Sequence, residues 1–351
     1  DTALDHLFSE SDELDKISSI EPEKTKDKIV MVDSINHALS EELEFNKKMI
    51  IYGEDVAGDK GGVFTATRGL TKEHGEDRVF NSPLAESSII GTAIGLSVVG
   101  YKPVVEIQFG DYIWPAMMQI RNEVATMRYR SGGNWSCPLV IRVPVGGYIH
   151  GSLYHSQSID GYFAHTPGLK VAYPSNASDA KGLLKYACRC DDPVLFMEHK
   201  GIYRQGFASS MEPDENYLLP FGKARIVQEG SDLTIVTWGA IVQKAVEASR
   251  NTGKSVEIID IRTLNPLDID TILNSIKKTN RVIVAHEDHL TAGFGSEIAA
   301  QISDEGFEYL DAPVKRVASK DVHVAYSPNL ENEILVQTSW IEKEIEEILT
   351  Y

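Results

Sequence analysis

Six runs of this sequence are almost continuous in β-branched and other apolar residues: VVEIQF at 104–109, LVIRVPV at 139–145, VLFMEH at 194–199, LTIVTWG at 233–239, VEIIDIRT at 256–263 and RVIVAHE at 281–287. A strand with one wet face alternates apolar and polar side chains, whereas a strand buried on both faces does not. Helical spacing separates these runs, over 32–43 and after Ser175, Ala240, Asp268 and Gly295, and a closing amphipathic helix is expected from about 331 to 351. Strand and helix in alternation build parallel sheets covered by helices on both faces. The expected fold class is α/β, in two domains with mostly parallel sheets.

The alternation lapses between Gly206 and Phe221, where ASSMEPDENYLLP has neither period, and then resumes. That lapse predicts a first domain over 29–205, a linker over 206–221 and a smaller second domain over 222–351. Residues 1–28 are highly charged with little apolar material and read as an acidic tail or linker. The chain does not begin with Met, which fits a processed chain or a piece of something longer.

Composition excludes several classes. The 351 residues are 42% hydrophobic and 25% charged, as in a globular protein with a real core. A formal charge of −18 argues against a nucleic-acid surface and fits a partner with basic patches. No apolar run reaches the roughly 18 residues that span a bilayer, and the basic-then-apolar order of a signal peptide is missing. Cys137, Cys188 and Cys190 are too few for a disulfide framework and suit a reducing cytoplasm. Cys188 and Cys190 lack a second pair of ligands and make a poor zinc site.

Two stretches concentrate chemistry. Residues 78–102, RVFNSPLAESSIIGTAIGLSVVGYK, form a strand that breaks at Pro83 and re-enters as an almost wholly apolar helix with Glu86 at its mouth. Gly91 and Gly95, four residues apart, predict another backbone against that side of the helix. Glu86 is either a first-turn acid favoured by the helix dipole or a partly desolvated carboxyl sharing a proton with a ligand nitrogen. Residues 144–165, PVGGYIHGSLYHSQSIDGYFAH, place His155 among Tyr154, Ser156, Gln157 and Ser158, which can fix its tautomer for proton transfer. A histidine satisfied inside its loop is the alternative, and His150 and His165 have less around them. No G-x-S-x-G elbow follows a strand, no P-loop occurs, and Gly293-Phe294-Gly295 only half matches a dinucleotide loop.

Taken together, RVFNSPLAESSIIGTAIG, EIQFGDYIWPAMMQIRNE, YRSGG, RVPVGGYIHGSLYHSQS, AHTPGLKVAYPSNASDAKGLLKYACRCDDPVLFMEHK, EGSDLTIVTWG, IDIRTLNPLDIDTI and HEDHLTAGFGSEIA resemble the beta subunit of the thiamin-diphosphate-dependent decarboxylating component of 2-oxoacid dehydrogenase complexes. The branched-chain type looks nearer than the pyruvate type, and the resemblance covers about residues 30–351. It implies a pyrimidine-binding domain followed by a transketolase-type C-terminal domain. Glu86 would be the activating glutamate that shares a proton with the aminopyrimidine. Leu84, Gln108 and Tyr112 would border the cofactor, and His155 would assist acyl transfer to a lipoyl group. The family also holds a potassium ion largely through backbone carbonyls, at positions matching Leu139, Val140, Ala187, Cys190 and Asp192. Cys190 stands where an acid is common and Asp192 where Asn is common, which carbonyl ligation tolerates.

The Gly-Asp-Gly motif that carries the diphosphate and magnesium does not occur here. The resemblance therefore implies an alpha subunit, or a fused alpha domain, that supplies the magnesium. It also implies a second beta chain in an alpha-two, beta-two assembly, and a lipoyl-bearing acyltransferase component. A pyruvate dehydrogenase beta subunit is the near alternative. A transketolase-like enzyme would carry both halves of the site in a longer chain, a nicotinamide dehydrogenase would need a true dinucleotide loop, and a scaffold subunit would need neither Glu86 nor His155.

Overall fold

The apolar runs form two sheets. In the computed structural model, which describes residues 2–9, 14, 17 and 27–351, the first unit carries β1 (Met49–Gly53), β2 (Val79–Asn81), β3 (Lys102–Glu106), β4 (Val140–Val145), β5 (Lys170–Ala172) and β6 (Val194–His199). They lie in the order β5-β6-β4-β3-β1-β2, and every pairing is parallel. β1, β3, β4, β5 and β6 are buried along their whole length, which is why their sequences do not alternate. Most of the acidic segment expected over 1–28 lies outside the described residues.

Three helices matter to this unit: α1 (Met31–Phe45), α2 (Glu86–Val98) and α3 (Ala177–Arg189). α1 and α3 lie together. The Ser34 hydroxyl donates to the Ala177 carbonyl at 2.6 Å, and buried Glu42 receives Arg189 Nη2 at 2.7 Å. α2 turns Ile89, Ile90, Ala93 and Ser97 inward, while Gly91 and Gly95 are exposed. A Cβ built at either glycine would meet nothing within 4 Å, so no described part of this chain supplies the backbone expected against them. Between β3 and β4 the chain forms a 3-10 turn at Trp114–Ala116, a π-helical stretch at Gln119–Val124 and an α turn at Met127–Arg130 in place of one continuous helix. Pro115 removes an amide donor, and the Thr126 hydroxyl takes the Asn122 carbonyl at 2.6 Å.

In the second unit, β7 (Arg225–Gln228), β8 (Leu233–Thr237), β9 (Val256–Asp260), β10 (Val282–His289) and β11 (Lys315–Ser319) lie in the order β11-β10-β8-β9-β7. Only β7 runs antiparallel. α4 (Ile241–Thr252), α5 (Ile269–Thr279), α6 (Phe294–Glu305) and α7 (Thr338–Ile348) accompany it, and Ile241, Ala245, Ile341 and Ile345 join Ile235, Ile258 and Ile283 in one core.

By their internal contacts the two units interleave along the chain. Residues 146–162 belong to the second, and 163–221 return to the first. The stretch expected as a linker is packed: the Leu219 amide donates to Gly182 O at 3.1 Å, and Phe221 stacks on Tyr186 with ring centroids 4.8 Å apart.

A charge network crosses the middle of the first sheet. Arg142 on β4 is fully buried; its Nε and Nη2 donate to Glu198 on β6 at 2.7 and 2.8 Å, and its Nη1 to Glu106 on β3 at 2.7 Å. Tyr203 adds its hydroxyl to Glu198 at 2.5 Å. Burial pushes the Glu106 carboxyl up, and the Arg142 charge pulls it back. Arg142→Met should cost about 3–5 kcal/mol, because two buried carboxylates lose their cation. Chemical denaturation checks it; Glu106→Gln and Glu198→Gln added to Arg142→Met should restore part of the loss.

Candidate active site

In a parallel sheet, ligands are met where strands end at their carboxyl edge. In the first unit β1 ends at Gly53, leading into Glu54 and Asp55; β2 leads through Pro83 and Leu84 to Glu86; and β3 leads to Gln108 and then to the turn at Gly110–Tyr112. A Cβ at Gly53 would fall 2.5 Å from the Glu106 carbonyl, so only glycine lets the chain leave β1 so close to β3.

These residues gather. Glu86 is half-buried at the first position of α2, and the residue before it, Ala85, offers no capping side chain. Burial raises the Glu54 carboxyl above its ordinary range, with the charges of Glu86 and Asp55 adding to the effect. Tyr112 is raised by burial, then by Asp111, Glu54 and Glu86. Gln108 Nε2 donates to Asp55 Oδ2 at 3.3 Å. Leu84 is 79% exposed beside this group. Glu54 is the member the sequence reading passed over. Its signal was an acid placed just past the end of a buried parallel strand.

The fit to a thiamin cofactor rests on Glu54 Oε1, which is buried without a hydrogen-bond partner next to the half-buried carboxyl of Glu86. Two acids crowded in this way, one held toward its protonated form, suit a heterocycle that exchanges a proton with a carboxyl group.

His155 belongs to the second unit, in the 146–162 loop. Its Nδ1 lies 3.1 Å from the Gly151 carbonyl. An Nδ1–H donated to that carbonyl would place the ring lone pair on Nε2. The loop is strained, with Tyr148, His150 and Ser152 all at positive φ (60°, 57° and 63°). Carboxylates of the second unit hold it: Gly147 N–H donates to Glu287 Oε1 at 2.6 Å, His150 N–H to Glu331 Oε1 at 3.1 Å, and Gly161 N–H to Asp288 Oδ2 at 3.3 Å. His150 Nδ1 also lies 2.6 Å from Glu331 Oε2, which makes His150 a loop anchor. His165 is exposed in the first unit.

Leu139, Val140, Ala187, Cys190 and Asp192 are all in the first unit, where α3 ends beside β4 and β6. Among the described residues, no three or more His, Cys, Asp or Glu side chains are grouped to hold a metal ion. No described helix is long and apolar enough to cross a membrane.

Residues 27–205 match the transketolase pyrimidine-binding domain, and 222–341 match the transketolase C-terminal domain. The 2-oxoisovalerate dehydrogenase subunit beta of Bacillus subtilis (strain 168) is 45% identical over 91% of this chain and 98% of its own length. This chain belongs to the beta subunits of the 2-oxoacid dehydrogenases. The pyruvate dehydrogenase E1 component subunit beta of the same organism is 46% identical over 85% of this chain and 92% of its own. The mitochondrial 2-oxoisovalerate dehydrogenase subunit beta of Dictyostelium discoideum is 47% identical over 86% and 82%. Branched-chain and pyruvate types are thus equally similar, and the expectation that the former is nearer is not resolved. A solved split-gene transketolase, described as an inactive beta4 tetramer, shares the fold with a TM-score of 0.74 at 23% identity, over 92% of this chain and 98% of its own. The chain is therefore part of an oxidoreductase built on the α/β fold expected, in a thiamin-diphosphate family.

The anchor of the 2-oxoacid dehydrogenase loop makes a prediction. Asp160, fully buried, receives Trp238 Nε1–H at 2.7 Å and is hydrogen-bonded to Asp288. Burial and then the Asp288 charge push Asp160 well up. Burial alone would raise Asp288 too, but hydrogen bonds from His289 and Asp160 bring it below its usual range. A raised folded-state pKa means that stability falls as pH rises from the ordinary carboxyl range through the raised value. Asp160→Asn keeps both hydrogen bonds without a proton to lose. Its melting temperature should match or exceed wild type at about pH 8 and vary less between about pH 4 and 8, whereas Asp160→Ala should lose about 1–3 kcal/mol.

Proposed function

We propose that this chain is the beta half of the decarboxylating component of a branched-chain 2-oxoacid dehydrogenase, with Glu86 as the proton-sharing carboxyl and His155 as a proton-transfer group for acylation of a lipoyl arm. The crowding of Glu54 and Glu86 at the carboxyl ends of β1 and β2 supports this reading most directly. When bound, thiamin diphosphate supplies a nucleophilic carbon and a sink for the electrons released with carbon dioxide. Glu86 holds or gives a proton at its carboxyl oxygens, Glu54 raises the energy of a second negative charge there, and Tyr112 and Gln108 border the ring. His155 exchanges a proton at Nε2, with Nδ1 fixed on Gly151. Pyruvate is the second substrate reading, supported by the equal similarity of the pyruvate-type relatives.

The diphosphate and magnesium belong, in this reading, to an alpha partner, because the Gly-Asp-Gly motif does not occur in this chain. The alpha partner, a second beta chain and a lipoyl-bearing acyltransferase complete the assembly. The outer face of α2 supports the pairing. Leu84, Val99, Trp114 and Met118 are 79%, 68%, 41% and 64% exposed, and Gly91 and Gly95 are open beside them. Three buried free thiols fit a cytoplasmic compartment.

Glu86→Gln should leave the fold intact and lower turnover of the reconstituted enzyme by about 10²–10⁴-fold, since an amide has no carboxyl proton to share; full activity refutes the assignment. His155→Ala should slow acylation of lipoyl groups more than decarboxylation read with an artificial electron acceptor, and equal losses would remove its assigned role. Gly95→Leu should fold as well as wild type but sediment as a monomer, where wild type sediments as a dimer.

A further inference from the structure

Four of the five carbonyl groups expected to surround potassium already have a donor from this chain beside them. The Cys190 carbonyl accepts Lys102 Nζ at 2.8 Å, and the Leu139 carbonyl accepts the Val194 amide at 3.0 Å. The Ala187 and Asp192 carbonyls lie 3.6 and 3.4 Å from Cys190 Sγ. Lys102, the first residue of β3, is only 6% exposed and makes no ion pair among the described residues. Its ammonium lies at the C-terminal end of α3, where Cys190 is the capping residue and the last carbonyls have no intrahelical partners. That end of a helix carries partial negative charge and favours a cation.

The surroundings already hold positive charge. Lys170 Nζ is 3.0 Å from Asp192 Oδ2 and Arg128 Nε is 3.3 Å from Asp192 Oδ1, so two cations share one buried carboxylate. A further monovalent ion would enter a corner with Lys102, Lys170 and Arg128 in place and Asp192 engaged by two of them.

We propose that the Lys102 ammonium is this chain's built-in cation at the end of α3, standing where relatives are expected to hold potassium. A covalently attached ammonium needs no ion from solution, so the fold should be indifferent to potassium at any concentration.

The test is thermal unfolding of the full chain, alone and with its alpha partner, in potassium, sodium and tetramethylammonium chloride at equal ionic strength. Wild type should melt within about 1 °C in all three, because nothing binds the folded form selectively. Lys102→Met should melt lower in tetramethylammonium and recover as potassium is raised, the response of a site that binds the ion only when folded. Lys102→Arg should keep the cation and the indifference of wild type. Should Lys102→Met fail to fold, the salt series on wild type and Lys102→Arg decides, together with atomic emission of the desalted protein. A saturable rise of the wild-type midpoint with potassium, or about one equivalent of potassium retained by wild type, overturns the proposal. So does a Lys102→Met variant as stable as wild type and indifferent to potassium.

Discussion

Arg142 brings a full positive charge into the middle of a sheet whose strands are otherwise apolar, and Glu106 and Glu198 meet it from the strands on either side. Such a triad contributes less net stability than its hydrogen bonds suggest, because each charge gave up water. Its consequence is register. Side chains alternate along a strand, so a one-residue slip of β4 against β3 or β6 would turn Arg142 to the opposite face and strand two buried carboxylates. Holding β3 in register holds Glu106 at its carboxyl end, and with it the exit to Gln108 and Tyr112. The same pairing keeps Glu106 beside Gly53, where β1 gives way to Glu54. The candidate site thus inherits its geometry from a charge network buried beneath it.

What the sequence revealed follows the range over which its physics acts. Burial on both faces leaves a local mark, so the parallel strands and the apolar helix behind Glu86 were legible. So was Glu86 itself, because an acid at the mouth of such a helix stands out. Glu54 carries a different mark, an acid just past the buried strand MIIYG, and its importance comes from nearness to Glu86, which no local pattern encodes. The 146–162 loop was read as part of the first domain because it follows β4 in the chain. Its attachment to the second unit is made by Glu287, Asp288 and Glu331, all more than a hundred residues downstream.

That attachment separates two parts of the expected chemistry by unit. Glu86, Glu54 and Tyr112 stand on the exits of first-unit strands, whose positions the sheet sets. His155 stands on a loop with three positive-φ residues other than glycine, whose shape is set by carboxylates accepting its backbone amides. A strained loop keeps one shape only while such contacts over-determine it. Asp288 accepts the last of these amides, and beside it the buried Asp160, its carboxyl pushed up by burial, accepts from Trp238. Asp160 and Asp288 thus help to hold the far end of the loop that carries His155.

Charge at helix ends links these arrangements. Glu86 sits at the positive end of α2, whose preceding residue provides no cap, and Lys102 sits at the negative end of α3. An isolated charge at an exposed helix terminus is worth about 0.3–1 kcal/mol, and more where water is scarce. At α3 the terminus is buried, so its carbonyls need a partner, and a lysine tethered at the start of β3 supplies one at no cost in free ion. At α2 the terminus opens on a half-buried carboxyl beside a second acid that would rather be neutral. One helix end is closed by the Lys102 ammonium, while the other leaves a half-buried carboxyl group next to a second acid.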